Sequence, residues 1–194
     1  MVDLIEINFE EYRELVYPEY LKVFPKEERK ELKTIELNYR NKISKFIKIT
    51  ESNKFIGFIM INTVENNKYA QIDYFAILPE YRNKGYGTKA INVIKEKFTQ
   101  YNGIFIEIEK LGIGESEEEN ILRQKRVNFY QKLGFHKLNF DLVWFKTLIL
   151  SPYILILNNS KDTEDIILEN IFKIYIAAHG KEKVDRECKV IKIK

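Results

Sequence analysis

The segment Leu78-Pro79-Glu80-Tyr81-Arg82-Asn83-Lys84-Gly85-Tyr86-Gly87-Thr88 sets two basic side chains and two glycines directly ahead of a helical apolar pattern. A helix start leaves about four amide donors without intrahelical partners, and the aligned peptide dipoles add roughly half a positive charge there. A phosphate answers both. Gly85 and Gly87 carry no side chain, so a ligand can approach the backbone of Asn83, Lys84, Gly85, Tyr86, Gly87 and Thr88 closely, while Arg82 and Lys84 add positive charge suited to a diphosphate. The plain structural alternative is a tight turn with solvated basic residues, and glycines and charges alone do not separate the two.

Two other phosphate motifs can be tested on the same residues. A Walker loop needs Gly, four residues, then Gly-Lys-Ser/Thr, which the chain does not supply. Gly85 to Ala90 does fit the dinucleotide pattern with Ala in third place, and Glu107 lies about 20 residues on, where a ribose-binding acid is expected. In that fold, however, the first glycine directly follows its strand. Here Pro79 to Lys84 intervenes and the upstream elements read as an antiparallel meander, so a dinucleotide-binding oxidoreductase ranks below the reading given next.

The elements around this segment follow from periodicity. Leu4 to Ile7 alternates as a short strand, and the helix-forming stretch to Phe24 is interrupted by Pro18, predicting one broken helix or two short ones. Phe46–Ile49 and Phe55–Ile61 flank the turn residues Glu51 to Lys54 as a hairpin, and Ala70 to Leu78 adds a third antiparallel strand stopped by Pro79. Ala90, Ile91, Ile94 and Phe98 share a helical face over about residues 87–101, with Asn102-Gly103 as an expected left-handed stop. Ile104 to Glu109 alternates again, so strand, helix and strand succeed one another as in a parallel crossover. Ser116 and Glu119 make a capping box, and Leu122, Phe129 and Leu133 give the stripe of a helix over about 117–133 ended by Gly134. Leu142–Phe145 and Tyr153–Leu157 read as closing strands, and Asp165 to Ala178 as a further helix. The fold class expected is α/β (α+β): a mixed, mostly antiparallel central sheet of about six to seven strands flanked by helices. One domain over residues 1–194 is expected, with a C-terminal helical and strand extension from about residue 158.

Composition bounds the partners. The 194 residues carry 32 Lys and Arg against 29 Asp and Glu, a net charge of +3, too small a field to draw the chain to nucleic acid or an anionic membrane. The acidic start Met1-Val2-Asp3-Leu4-Ile5-Glu6 lacks a signal peptide's basic and apolar regions, and no segment reaches about 18 uninterrupted apolar residues. A soluble cytoplasmic protein is expected. Cys188 is the single cysteine, which excludes an internal disulfide and a Cys-based zinc cluster, and is read as an incidental tail residue. His136 and His179 have no spaced metal partners, so no metal is expected.

Taken with its context, the segment resembles the phosphate signature of the GCN5-related N-acetyltransferase family, Gln/Arg-x-x-Gly-x-Gly/Ala, through Arg82, Gly85 and Gly87. Asp73-Tyr74-Phe75-Ala76-Ile77-Leu78-Pro79 is similar to the strand before that signature, and Asn128-Phe129-Tyr130-Gln131-Lys132-Leu133-Gly134-Phe135 to the end of a later helix in the family. The likeness spans roughly residues 3–157 by element order and 70–135 by motif. It implies a sheet splayed for acyl-CoA, the strand ending at Leu78 separating from the strand that begins at Ile104 to admit the pantetheine arm. Backbone groups around Phe75, Ile77 and Leu78 would pair with that arm, and the amides of Asn83 to Thr88 would hold the pyrophosphate. Tyr130 would lie near the sulfur as proton donor to the departing thiolate, the alternative being a part-buried aromatic on a core helix.

The activity so implied is transfer of acetyl from acetyl-CoA, the co-substrate, to a primary amine of a small molecule or peptide by direct attack in a ternary complex. A homodimer is left open. An alkylamine with a pKa near ~10.4 is mostly protonated at neutral pH, so a carboxylate that removes its proton is wanted. A frequent family position for a glutamate falls on Gln71, which cannot serve. Asp73 lies two residues on, on the same side of the strand, and Glu107 and Glu109 share a face of the neighbouring strand, where paired carboxylates raise one another's pKa or bind a cationic amine. A solvated strand end accounts for each of them equally well. The acidic run Glu115–Glu119 is explained by the helix dipole, and Arg123, Lys125 and Arg126 are expected to be mostly solvated. Gln71 also keeps a second class in view, a non-catalytic acyl-CoA-binding sensor.

Overall fold

The computed structural model describes residues 1–193, apart from the side chain of Glu27. The chain forms two compact units, residues 1–65 with 72–99 and residues 66–71 with 100–194. Among the described residues there are nine strands, largely antiparallel. Beyond the seven strands read one by one from the sequence stand the short β6 (His136–Lys137) and β9 (Cys188–Lys192), the latter in the expected C-terminal extension.

In the first unit β1 (Val2–Ile7), β2 (Ser44–Glu51), β3 (Lys54–Asn62) and the later part of β4 (Tyr69–Ile77) lie in that order. The hairpin between β2 and β3 turns through Ser52 and Asn53, both at positive φ. Gly57 is required on β3, because a Cβ there would stand 2.4 Å from the carbonyl oxygen of Ala76. The broken helix before β2 is α1 (Phe9–Glu11), a π-helical turn over Tyr12–Val16 and α2 (Tyr17–Val23). Pro18 falls in the first turn of α2, and the π-helical turn stands immediately before it. After it comes α3 (Leu32–Arg40). The core of this unit joins Tyr12, Val16 and Tyr20 of the first helices to Ile35 of α3, Phe46, Phe58 and Met60 of the hairpin, and Tyr74, Ala76 and Leu78 of β4. The aromatic rings meet closely, Tyr12 on Phe46 at 4.0 Å and Tyr20 on Tyr74 at 4.9 Å edge to face.

In the second unit the first three residues of β4 run parallel to β5 (Gly103–Glu109), Tyr69 to Gln71 facing Gly103 to Phe105. Next come β8 (Leu148–Ile156), β7 (Phe140–Trp144) and β9, with β6 also on β8. The helix after β4, α4 (Tyr86–Lys97), belongs to the first unit and ends at Phe98 with its N–H on Ile94 O. Asn102-Gly103 is therefore not its stop. Gly103 opens β5 at φ in the ordinary range, and it is glycine because a Cβ would sit 2.9 Å from the Tyr69 ring and 3.0 Å from Leu155 O. The C-terminal segment holds α6 (Glu164–His179), capped by Thr163, then α7 (Lys181–Glu187) and β9. Ile167, Ile171, Ile174 and Tyr175 of α6 are buried, and Trp144 packs on Tyr175 at 5.2 Å. Cys188 is buried in β9 and so is a packing residue of the sheet rather than incidental; burial and the nearby Glu107 carboxylate push its thiol up to about 12.

Candidate functional site

The loop that carries the glycines follows β4 in the first unit. After β4, Pro79–Tyr81 makes one 3-10 turn, Asn83 turns at φ 62°, and Gly85 enters α4 at φ 76°, a conformation that costs glycine nothing and any β-branched residue a great deal. No side chain caps α4 and no acid occupies its first turn. Its first internal bond runs from Lys89 N to Gly85 O at 3.1 Å, so the amides of Tyr86, Gly87 and Thr88 have no intrahelical acceptor. A Cβ built on Gly85 meets nothing within 4 Å. A diphosphate therefore fits: donors converge, the dipole is uncompensated, and the space beside the turn is open.

The two basic residues of the loop are exposed and bond to its backbone. Arg82 donates through Nε to Ile77 O at 2.9 Å, and Lys84 through Nζ to Glu80 O at 2.9 Å. Each ties the loop back on itself. On the strand that feeds it, Ile72, Tyr74, Ala76 and Leu78 are buried while Asp73, Phe75 and Ile77 alternate with them on a part-open face. Asp73 receives Lys30 Nζ at 2.5 Å, a contact between two side chains that are 11% and 15% exposed. Lys30 was not singled out by sequence. It lies 43 positions from Asp73 and no local pattern marks it.

The remaining candidates lie in the second unit. Tyr130 stands near the end of α5 (Glu117–Lys132). Gly134, at φ 89°, turns the chain, and the amides of Gly134 and Phe135 bond back to Gln131 O at 3.0 Å and Tyr130 O at 3.1 Å. This pair of bonds closes a helix through a left-handed residue, with an apolar contact across the closure, here the Tyr130 and Phe135 rings at 5.3 Å. The Tyr-x-x-x-Gly-Phe spacing thus has a structural reason of its own. The Tyr130 ring is part-buried, its hydroxyl has no hydrogen-bond partner among the described residues, and burial pushes its ionisation well above the ordinary phenol value.

Both acids of β5 are engaged, but differently. Glu107 accepts from Gln71 Nε2 at 2.7 Å and from the Tyr175 hydroxyl. Glu109 lies between Arg123 at 3.2 Å and Arg126 at 3.3 Å. Arg123 is not solvated as its helix's composition suggested: it is 7% exposed and also binds Glu119 and, at 3.0 Å, Lys110 O. The buried face of α5 is Arg123 and Val127, whereas Leu122, expected in its apolar stripe, is 54% exposed. The charge of Glu109 decides this, since a guanidinium that satisfies a carboxylate can occupy a face that an aliphatic stripe would otherwise take. Ser116 caps α5 by accepting from Glu119 N at 3.1 Å, while the Glu119 carboxylate reaches Glu115 N at 2.7 Å. His136 is exposed and His179 packs on Trp144 at 5.3 Å.

Among the described residues no group of three or more His, Cys, Asp and Glu is arranged to hold a metal ion, and no helix is long and apolar enough to cross a membrane. The model of the acetyltransferase (GNAT) family matches residues 9–135. No curated protein matches the chain by sequence. Solved structures similar in fold include a protein assigned to the GNAT family from Bacteroides thetaiotaomicron, 21% identical, with a TM-score of 0.68 over 92% of this chain and 99% of that one. The ribosomal-protein-S18-alanine N-acetyltransferase from Escherichia coli is 15% identical, with a TM-score of 0.60 over 84% and 99% of the two chains. A chimeric spermidine N-acetyltransferase from Vibrio cholerae is 14% identical, with a TM-score of 0.59 over 80% and 95%.

Proposed function

The chain belongs to the GNAT acetyltransferase family, and from that premise we propose that it transfers acetyl from acetyl-CoA to a primary amine by direct attack. The observation that carries this reading is the uncapped start of α4 beside Gly85, where three amides and an open approach await an anion. The backbone of Asn83 to Thr88 would hold the pyrophosphate, and Phe75, Ile77 and Leu78 would carry the pantetheine arm along β4. Acetyl-CoA supplies the thioester. The part played by the chain is to hold it, to take a proton from the amine and to return one to the sulfur.

Tyr130 is the proposed donor to the departing thiolate, and its unpartnered hydroxyl supports that role, because a phenol already committed to another acceptor would have to break that bond first. Asp73 is the proposed base. It already receives a primary ammonium, that of Lys30, whereas Glu109 is committed to two guanidinium groups and Glu107 to Gln71 and Tyr175. Two of the similar structures act, by their descriptions, on an alanine amine and on spermidine, which supports an amine acceptor without choosing between a peptide and a small molecule.

The sensor reading is favoured by one observation, that all three carboxylates have partners. Thiol release from acetyl-CoA with a panel of alkylamines and peptide amino termini separates the two. An amine-dependent release is expected. A chain whose melting temperature rises with coenzyme A yet releases no thiol with any amine is a sensor, and one stabilised by NADH but not by coenzyme A belongs to the dinucleotide class.

A further inference from the structure

We propose that Lys30 is an acetyl acceptor in cis, a self-modification site whose amine Asp73 holds where an external amine is deprotonated. This inference rests on the acetyl-CoA reading above and extends it to a substrate that the chain itself supplies.

Three contacts fix the segment between α2 and α3 on β4. The Tyr20 hydroxyl accepts from Lys30 N at 2.7 Å, the Tyr74 hydroxyl donates to Glu28 O at 2.5 Å, and Lys30 Nζ meets Asp73 Oδ2 at 2.5 Å. Lys30 Nζ also stands 5.7 Å from the Tyr74 ring centre. The amine is thus held by its backbone and by its head, on the strand that leads into the phosphate loop. With the phosphates at Asn83 to Thr88, a pantetheine arm running back along Leu78, Ile77 and Phe75 points its sulfur end toward Asp73. Asp73 is two residues beyond Phe75 on the same face, about 7 Å along the strand.

A surface ion pair would not need this construction. Among the ion-paired lysines of the described residues Lys30 is the least exposed, at 15% against 83% for Lys33 three residues away. Uncatalysed acetylation favours the exposed amine, so modification of Lys30 ahead of Lys33 has to come from positioning. In the step, one ammonium proton passes to Asp73 and on to solvent. The freed lone pair of Nζ attacks the acetyl carbonyl, the new C–N bond forms, the C–S bond breaks, and the second proton lost from nitrogen ends on the thiolate. The product amide is uncharged, so its ion pair with Asp73 is lost and the carboxylate is released to take a proton from an external amine.

The test is peptide mapping and intact-mass measurement of the full chain incubated with acetyl-CoA at several protein concentrations. One acetyl group on Lys30 is expected, at least tenfold ahead of Lys33, at a rate independent of protein concentration. It should be suppressed by excess coenzyme A, by Gly85→Val and by Asp73→Asn. Lys30→Arg should lose the modification. The proposal is overturned if Lys30 stays unmodified while an external amine is acetylated, if it reacts no faster than Lys33, if the rate rises with protein concentration, or if coenzyme A does not suppress it. Absence of thiol release with every amine and with Lys30 alike would overturn the transferase reading too, which distinguishes the two failures. The coenzyme A competition needs no variant, so misfolding of Gly85→Val or Asp73→Asn leaves the test standing.

Discussion

The ring of Tyr130 packs on two others and its hydroxyl is bonded to none of the described residues, and that combination sets what removal of the hydroxyl should do. Tyr130→Phe keeps the edge-to-face packing on Phe129 and Phe135, so the fold and the affinity for coenzyme A should persist. Turnover should fall about ten- to a thousandfold, because the donor acts as charge develops on sulfur. Burial raises the phenol's ionisation above its ordinary value, so the group remains a proton donor up to at least that value. An alkaline fall in rate below pH ~10 should therefore be the same in the wild type and in Tyr130→Phe, and steady-state rate profiles of both would show it. A limb that disappears in the variant would mean that the phenol ionises in that range and is less buried than the structure has it.

At the scale of elements, the glycines divide by what surrounds them. Gly85 is glycine because of its backbone angle, Gly57 and Gly103 because a neighbouring chain passes too close for a Cβ. Gly103→Ala would press a methyl group on the Tyr69 ring and on Leu155 O, in the rung that joins β4 to β5 and in the rung that joins β5 to β8. A loss of about 1–3 kcal/mol is expected, as for other overpacked cores, and urea unfolding measures it. An unchanged midpoint would mean that the strands separate enough to admit the methyl group.

For the molecule as a whole, acid stability should depend on one buried carboxylate. Asp141 on β7 accepts from Ser151 at 2.7 Å and pairs with Lys110 at 2.9 Å and Lys137 at 3.2 Å. Burial alone would raise its pKa, but the Ser151, Lys110 and Lys137 contacts prevail and hold it below the usual carboxylate value. A depressed folded pKa contributes stability that is present above the unfolded value of about 3.8 and is lost as pH falls through the lower folded one. The melting temperature should accordingly drop on acidification below about pH 4, and Asp141→Asn should start lower at neutral pH and drop less steeply over that window. Parallel slopes would assign acid unfolding to other carboxylates.

The sequence by itself determined what is local. The alternation of β1 and β5, the branched and aromatic runs of β2 to β4, the capping box at Ser116, the break at Pro18 and the glycine-rich turn before α4 are each set by residues within a few positions of one another, and each was legible. The uncapped start of α4 belongs to this class, because a helix start needs only its own backbone. The partners of the acids belong to the other class. Asp73 meets Lys30 from 43 positions away, Glu107 meets Gln71 from 36 and Tyr175 from 68, and Glu109 draws Arg123 into a buried face that composition alone marks as solvated. Gly103 reads locally as a helix stop, and only the approach of Tyr69 and Leu155 shows it to be a packing glycine. Side-chain chemistry in a sheet is settled across strands and from the helices laid on them, and no spacing along the chain encodes which distant residue arrives there.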